Sequence, residues 1–175
     1  MRVLLINPPL DAVLRNGSVS PVTAFLFYNS APLGLLYIAA ALLEAGHQVD
    51  VIDAAAEQLD VPGTVRRAEA FRPDVLGLGS TTVGFQSAVE LAEALKGALP
   101  SVPIVLGGHH VTLLPELAMQ HSCFDVGVLD EGEHTMAELV EHYRGVQPLE
   151  DIPGLVLRDS LGELRYTAPR AKWKD

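Results

Sequence analysis

The strongest constraint on this chain is an alternation that runs along most of its length. Short, continuous apolar runs rich in β-branched residues are followed by longer runs with apolar residues at helical spacing. The runs "RVLLIN" (2–7), "HQVDVIDA" (47–54), "PDVLGLGS" (73–80), "VPIVLGG" (102–108) and "DVGVLDEGE" (125–133) read as strands. The runs "LGLLYIAAALLEAG" (33–46), "VPGTVRRAEAF" (61–71), "VGFQSAVELAEALKGAL" (83–99), "TLLPELAMQH" (112–121) and "EHTMAELVEHYRG" (133–145) read as helices. An unbroken apolar strand is one buried on both faces, as in a parallel sheet covered by helices. The punctuation agrees: Gly46 stops the first helix, Thr64 is predicted to cap the second, and Thr112 with Pro115 to open the fourth.

Five strands and five helices with short connections predict an α/β fold of the flavodoxin-like doubly wound kind. Its sheet is five-stranded and mostly parallel, with helices on both faces. One connection is long: residues 8–32, rich in Pro, Asn, Ser and Gly, separate the first strand from the first helix, and such loops are usually functional. After residue 147 the pattern changes. "GLVLRDSLGELRYT" (154–167) reads as a hairpin turning at residues 159–162, and "APRAKWKD" (168–175) as a linker. The expected organisation is a domain over 1–147, then a hairpin and linker over 148–175.

Composition narrows the function. Of 175 residues, 49% are hydrophobic and 19% charged, which is a chain with a packed core. A formal net charge of −10 argues against nucleic acid as a partner, because phosphate backbones need a clustered basic surface. The single cysteine, Cys123, rules out an internal disulfide and any cysteine-built zinc or iron–sulfur site within these residues. The opening "MRVLLINPPL" is too short before its prolines for a signal peptide, and the stretch "APLGLLYIAAALLEAGH" meets Glu44 too soon for a membrane span. A soluble, cytoplasmic protein is expected.

Ligands of open parallel sheets bind beyond the carboxyl ends of the strands. Those exits read "NPPL", "DAAAE", "GSTTVGF", "GGHHVT" and "DEGEHT". In the third exit, Ser80, Thr81 and Thr82 offer three hydroxyls where helix capping needs one. In the fourth, Gly107 and Gly108 allow close backbone approach, with His109 and His110 as solvated side chains or as ligand donors. In the fifth, Glu133 and Thr135 suit the start of a helix. Phosphate-binding signatures are missing: there is no G-x-x-x-x-G-K-[ST], and no G-x-G-x-x-G follows the first strand. His47, His121, His134 and His142 have no metal-ligand spacing, and Cys123 has no base beside it.

Taken together, "NPP", "PLGLLYIAAALLEAGHQVDVIDA", "PDVLGLGSTT", "VLGGHHVTLLPE" and "DVGVLDEGEHTMAELVE" resemble the cobalamin-binding N-terminal domain of cobalamin-dependent radical SAM enzymes. That group includes methyltransferases and the anaerobic magnesium-protoporphyrin monomethyl ester cyclase. The resemblance implies cobalamin as cofactor, with its nucleotide tail in a groove lined by Ser80, Thr81, Thr82, Gly107 and Gly108. It places the corrin ring near residues 7–10, including Asn7 and Pro8, and near His109, His110, Glu131, Gly132 and Glu133. Val83 and Thr112, on the same exits, complete the expected cofactor-binding set.

Two departures shape the expectation. Corrinoid carriers hold cobalt from below with the histidine of a D-x-H-x-x-G motif after the first strand, whereas here Asp11 is followed at position 13 by Val. A tail-off cobalamin without a histidine from that loop is therefore expected. The Cys-x3-Cys-x2-Cys motif of a radical SAM domain is also missing, so the resemblance implies a fragment whose parent adds that domain, S-adenosylmethionine and a [4Fe-4S] cluster. The parent would carry out methyl transfer or oxidative ring closure, and the fragment alone would bind without turnover. The competing readings are a stand-alone corrinoid carrier or sensor, and a flavodoxin-like module for another cofactor such as flavin, for which "NPPLDA" is a poor phosphate loop.

Overall fold

A computed structural model describes residues 1–10, 20, 22, 30–159 and 161–171. Position 13, most of the long first connection and residues 172–175 lie outside the described residues. The elements run β1 (Arg2–Asn7), α1 (Leu33–Glu44), β2 (Gln48–Asp53), α2 (Val61–Phe71), β3 (Val75–Gly79), α3 (Phe85–Ala98) and β4 (Ile104–Gly107). They continue with α4 (His109–Leu113), α5 (Pro115–Ala118), β5 (Val126–Val128), α6 (Glu133–Tyr143), a 3-10 turn (Leu149–Asp151), β6 (Leu155–Arg158) and β7 (Leu164–Tyr166).

The sheet order is β2-β1-β3-β4-β5-β6-β7. Pairing is parallel from β2 through β5 and antiparallel for β5 with β6 and β6 with β7. The parallel part is doubly wound, as expected. The count of five strands is corrected to seven, because the hairpin pairs onto β5 and extends the same sheet. A hairpin gains little alone and more by extending a sheet with an apolar face. Leu155 and Val156 are wholly buried in that addition.

Period-2 alternation splits the strands between two cores. Leu4, Ile6, Leu76, Leu78, Ile104 and Leu106 pack with α2 and α3 side chains such as Ala68, Leu91 and Leu95. Val3, Leu5, Val75, Val105, Val126 and Val128 pack instead with Leu35, Ala39 and Leu42 of α1 and with Met136, Leu139 and Val140 of α6. Each such leucine, isoleucine or valine stabilises the fold by about 1.5–3 kcal/mol on burial.

The helix ends show which local signals hold. Gly46 has φ +83°, its N–H donates to Leu43 O at 3.0 Å, and the His47 N–H donates to Leu42 O at 3.0 Å. That is the paired C-terminal motif a glycine permits. The cap of α2 is not Thr64 but Asp60, whose carboxylate accepts from the Gly63 N–H at 2.7 Å. Thr64 is fully buried one turn into the helix and donates to Asp60 O at 2.9 Å. Aspartate directly before the Pro-containing first turn is the better-placed acceptor. The predicted fourth helix divides into α4 and α5 around Leu114, and Thr112 lies inside α4 instead of capping it.

Candidate cofactor-binding site

A cleft of about 960 Å³ opens at the carboxyl ends of the parallel strands, where the chain order switches from β1 toward β3. Sheet alternation determines its floor. Leu5 and Asn7 of β1, Gly77 and Gly79 of β3, and Val105 and Gly107 of β4 share the face that α1 and α6 cover, and all six line the cleft. Gly77 lies in register with Leu5 and Val105, and Gly79 with Gly107. Gly79 and Gly107 thus leave the ends of β3 and β4 bare of side chains on the cleft side, between Asn7 and the helices. Leu35 and Ile38 of α1, Val128 and Met136 supply apolar walls.

Backbone and side-chain bonds stitch the exits together. Asn7 Nδ2 donates to Asp53 Oδ1 at 2.8 Å, joining the first exit to the second. The Ser80 N–H donates to Gly107 O at 3.0 Å, and the His110 N–H donates to Ser80 O at 3.2 Å, joining the third to the fourth. Thr112 Oγ1 donates to Gly108 O at 3.1 Å and accepts from the Asp130 N–H at 3.0 Å, joining the fourth to the fifth. Asp130 sits in the left-handed region at φ +58°, a conformation that aspartate tolerates better than most residues.

The two adjacent glycines do different work. Gly108 has φ +97°, and a Cβ there would lie 2.5 Å from Ser80 O and 2.9 Å from Ser80 N. It is glycine because the β3 and β4 exits touch backbone to backbone. At Gly107 an added Cβ would meet nothing within 4 Å, and the open space in front of it is the cleft. The sequence treats the pair alike, and only the fold separates them.

Of the expected residues, Asn7, Pro8, Ser80, Thr81, Gly107, Gly108, His109, Thr112, Glu131, Gly132 and Glu133 line the cleft. Thr82, Val83 and His110 are not in its lining. His110 is buried and stacks on Phe85 with ring centroids 3.8 Å apart, and its Nδ1 lies 3.3 Å from Thr82 Oγ1. Its Nε2 is enclosed without a hydrogen-bond partner, and burial, with His121 nearby, holds its pKa below the ordinary value. His110 therefore belongs to an aromatic group with Phe85, His121 and Phe124 behind the cleft.

Glu133 stands in the first turn of α6, where its charge suits the helix dipole, but neither it nor Thr135 gives the helix a side-chain cap. Sequence reasoning passed over the start of α1, Gly77, Gly79, Asp130 and His134, and it left Arg170 in a linker; all of these line the cleft. The alternation in "PDVLGLGS" carried a signal for Gly77 and Gly79, which lie on the same face as Val75. Nothing local to "APRAKWKD" could have placed Arg170. Among the described residues no group of three or more His, Cys, Asp or Glu is arranged to hold a metal ion, and no helix is long and apolar enough to cross a membrane.

A doubly wound sheet with a glycine-floored, apolar-walled slot at its switch point defines a cofactor-holding α/β domain. Residues 19–140 match the family described as B12 binding domain, and the chain belongs to that family. It is 34% identical over 173 residues to an uncharacterized methyltransferase of Pyrococcus horikoshii, covering 97% of this chain and 35% of that one. It is 32% identical over 161 residues to the anaerobic magnesium-protoporphyrin IX monomethyl ester cyclase of Synechocystis, covering 90% of this chain and 31% of that one. The chain thus spans about a third of the length of these curated relatives.

Solved structures agree on the fold. The cobalamin-dependent S-adenosylmethionine radical enzyme OxsB, with aqua-cobalamin and S-adenosylmethionine bound, matches with a TM-score of 0.79 at 18% identity, over 98% of this chain and 22% of that one. The radical S-adenosylmethionine methyltransferase TsrM of Kitasatospora setae, with cobalamin and a [4Fe-4S] cluster bound, matches at 0.76 and 22%, over 99% and 30%. The family resemblance read from the strand exits is borne out.

Proposed function

We propose that this chain is the cofactor domain of a larger radical SAM enzyme and that it holds cobalamin tail-off, with the dimethylbenzimidazole withdrawn from cobalt. The observation that carries the reading is the slot floored by Gly77, Gly79 and Gly107 between the sheet and helices α1 and α6. A tail with a flat aromatic base needs room clear of side chains, and Gly107 opens onto the cleft with nothing within 4 Å of an added Cβ, while Gly77 and Gly79 let the Leu5 and Leu35 side chains pack close beside it. Ser80 and Thr81 would supply hydroxyls to the tail, and Asn7, Pro8, His109, Glu131, Gly132 and Glu133 would stand around the ring.

Two facts favour an unligated lower face. Residues 8–32 contain no histidine, and His110 is turned into the Phe85 stack. In the parent, the bound cobalt would carry a methyl group while S-adenosylmethionine on a [4Fe-4S] cluster supplies a radical, serving methyl transfer or oxidative ring closure. The domain's own residues would position the cofactor and exclude water from its tail. The relatives named as a methyltransferase and a cyclase support this parentage.

The test is a visible-absorption titration of the chain with hydroxocobalamin and methylcobalamin, followed by desalting. Retained cofactor with a tail-off spectrum is expected. A nitrogen-ligated spectrum, abolished by His109→Ala, would refute the axial-ligand reading, and complete release on desalting would refute binding by this chain.

A further inference from the structure

Residues 167–171 follow the hairpin, and the last two of them, Arg170 and Ala171, line the cleft. The Thr167 N–H donates to Leu155 O at 3.0 Å, and Thr167 Oγ1 accepts from the Leu155 N–H at 2.9 Å. The Gly154 N–H then donates to Ala168 O at 2.8 Å. Gly154 has φ +82°, and its own carbonyl accepts from the Leu129 N–H at 2.8 Å, one residue before the Asp130 turn. The chain therefore folds back against the β5 exit.

This path delivers Arg170 to α6. Its Nε donates to Oγ1 of the fully buried Thr135 at 2.7 Å, and its Nη2 pairs with Glu138. Thr135 in turn donates to Pro153 O at 3.4 Å. Arg170 and Ala171 then line the cleft together with Glu131, Gly132 and Glu133. Arg170 is the one lysine or arginine among the described lining residues. A solvated linker arginine would show none of these bonds, and a guanidinium fork holding a hydroxyl and a carboxylate at once is a positioned group.

We propose that residues 167–171 are a strap whose end, Arg170 and Ala171, forms part of the wall of the cofactor cleft, with Arg170 as its positioning residue, so that strap docking and cleft occupancy reinforce one another. This rests on the cobalamin reading above. A ligand that touches the strap only when it is docked binds the docked state better. By linkage, undocking must weaken the ligand by the same factor that the ligand tightens the strap.

The experiment measures hydrogen exchange across residues 167–171 in the 175-residue chain, with and without hydroxocobalamin, alongside affinity from the absorption titration. Wild type, Arg170→Ala, Arg170→Lys and Glu138→Gln are compared after circular dichroism shows each folded. Hydroxocobalamin is expected to slow exchange in the strap of the wild type. Arg170→Ala is expected to weaken binding about tenfold, within the ~5–150-fold range of coupled sites, and to speed strap exchange while leaving β3 and β4 unchanged. Arg170→Lys and Glu138→Gln should fall between, since each keeps part of the anchor. A wild type that retains cofactor with an unresponsive strap, or an Arg170→Ala chain that binds as tightly as wild type, overturns this proposal alone. A wild type that retains no cofactor overturns the cobalamin reading and this proposal with it.

Discussion

Substituting alanine separately at Gly107 and Gly108 should damage two different properties. At Gly108 the backbone has φ +97° and ψ −176°, a region that only glycine enters readily, and holding another residue there costs about 1–3 kcal/mol. The new Cβ would also stand 2.5 Å from Ser80 O, a backbone atom that cannot swing aside, and such overpacking adds about 1–3 kcal/mol. The sum, about 2–6 kcal/mol, is a large share of the ~5–15 kcal/mol that stabilises a typical domain. It lowers the melting temperature by roughly 5–20 °C at this chain length. At Gly107 the Cβ enters open space, so stability should stay within about 0.5 kcal/mol of wild type. That same methyl group stands on the floor of the cleft, and cobalamin binding should weaken about tenfold, a loss of roughly 1.4 kcal/mol. Thermal melting without ligand and absorption titration with hydroxocobalamin read the two effects. A Gly108→Ala chain that melts with the wild type, or a Gly107→Ala chain that melts early and binds normally, would refute the division of labour.

Three further outcomes follow from the same geometry. Arg158→Ala removes a guanidinium that donates to Met119 O and Phe124 O and so ties the hairpin to the loop before β5; leaving those carbonyls unpaired should cost about 1–3 kcal/mol in urea unfolding, and no change in midpoint would sink the idea. His47 and His110 both have lowered pKa values, chiefly through burial, so the unfolded chain binds their protons more tightly. Their contribution to stability is complete above the unfolded value of about 6.5 and declines as pH falls through and below it, which urea midpoints between pH 8 and pH 5 will register as a downward slope if the reasoning holds. The Cys123 thiol, pushed up to about 11 by burial, should resist thiol reagents at neutral pH until the chain unfolds, and rapid labelling of the native protein would contradict that.

The sequence alone carried whatever depends on local pattern. Continuous apolar runs marked the parallel strands, helical spacing marked the helices between them, and Gly46 ended α1 as glycine must when a left-handed residue closes a helix. The strand exits, read in order, carried the family, because a ligand at the switch point constrains those exits together. Tertiary structure decided everything that depends on which surfaces meet. It separated Gly107 from Gly108, since a φ angle and the position of Ser80 are not written in the pair "GG". It turned His110 onto Phe85 and left His109 at the cleft, because adjacent residues of a short helix point in different directions. It chose Asp60 over Thr64 as the cap, joined the hairpin to β5 as the sixth and seventh strands, and brought Arg170 back onto α6. Local preferences are worth about a kilocalorie per mole or less for each residue, whereas burial of whole faces is worth many, so the long-range contacts settle what short stretches leave open.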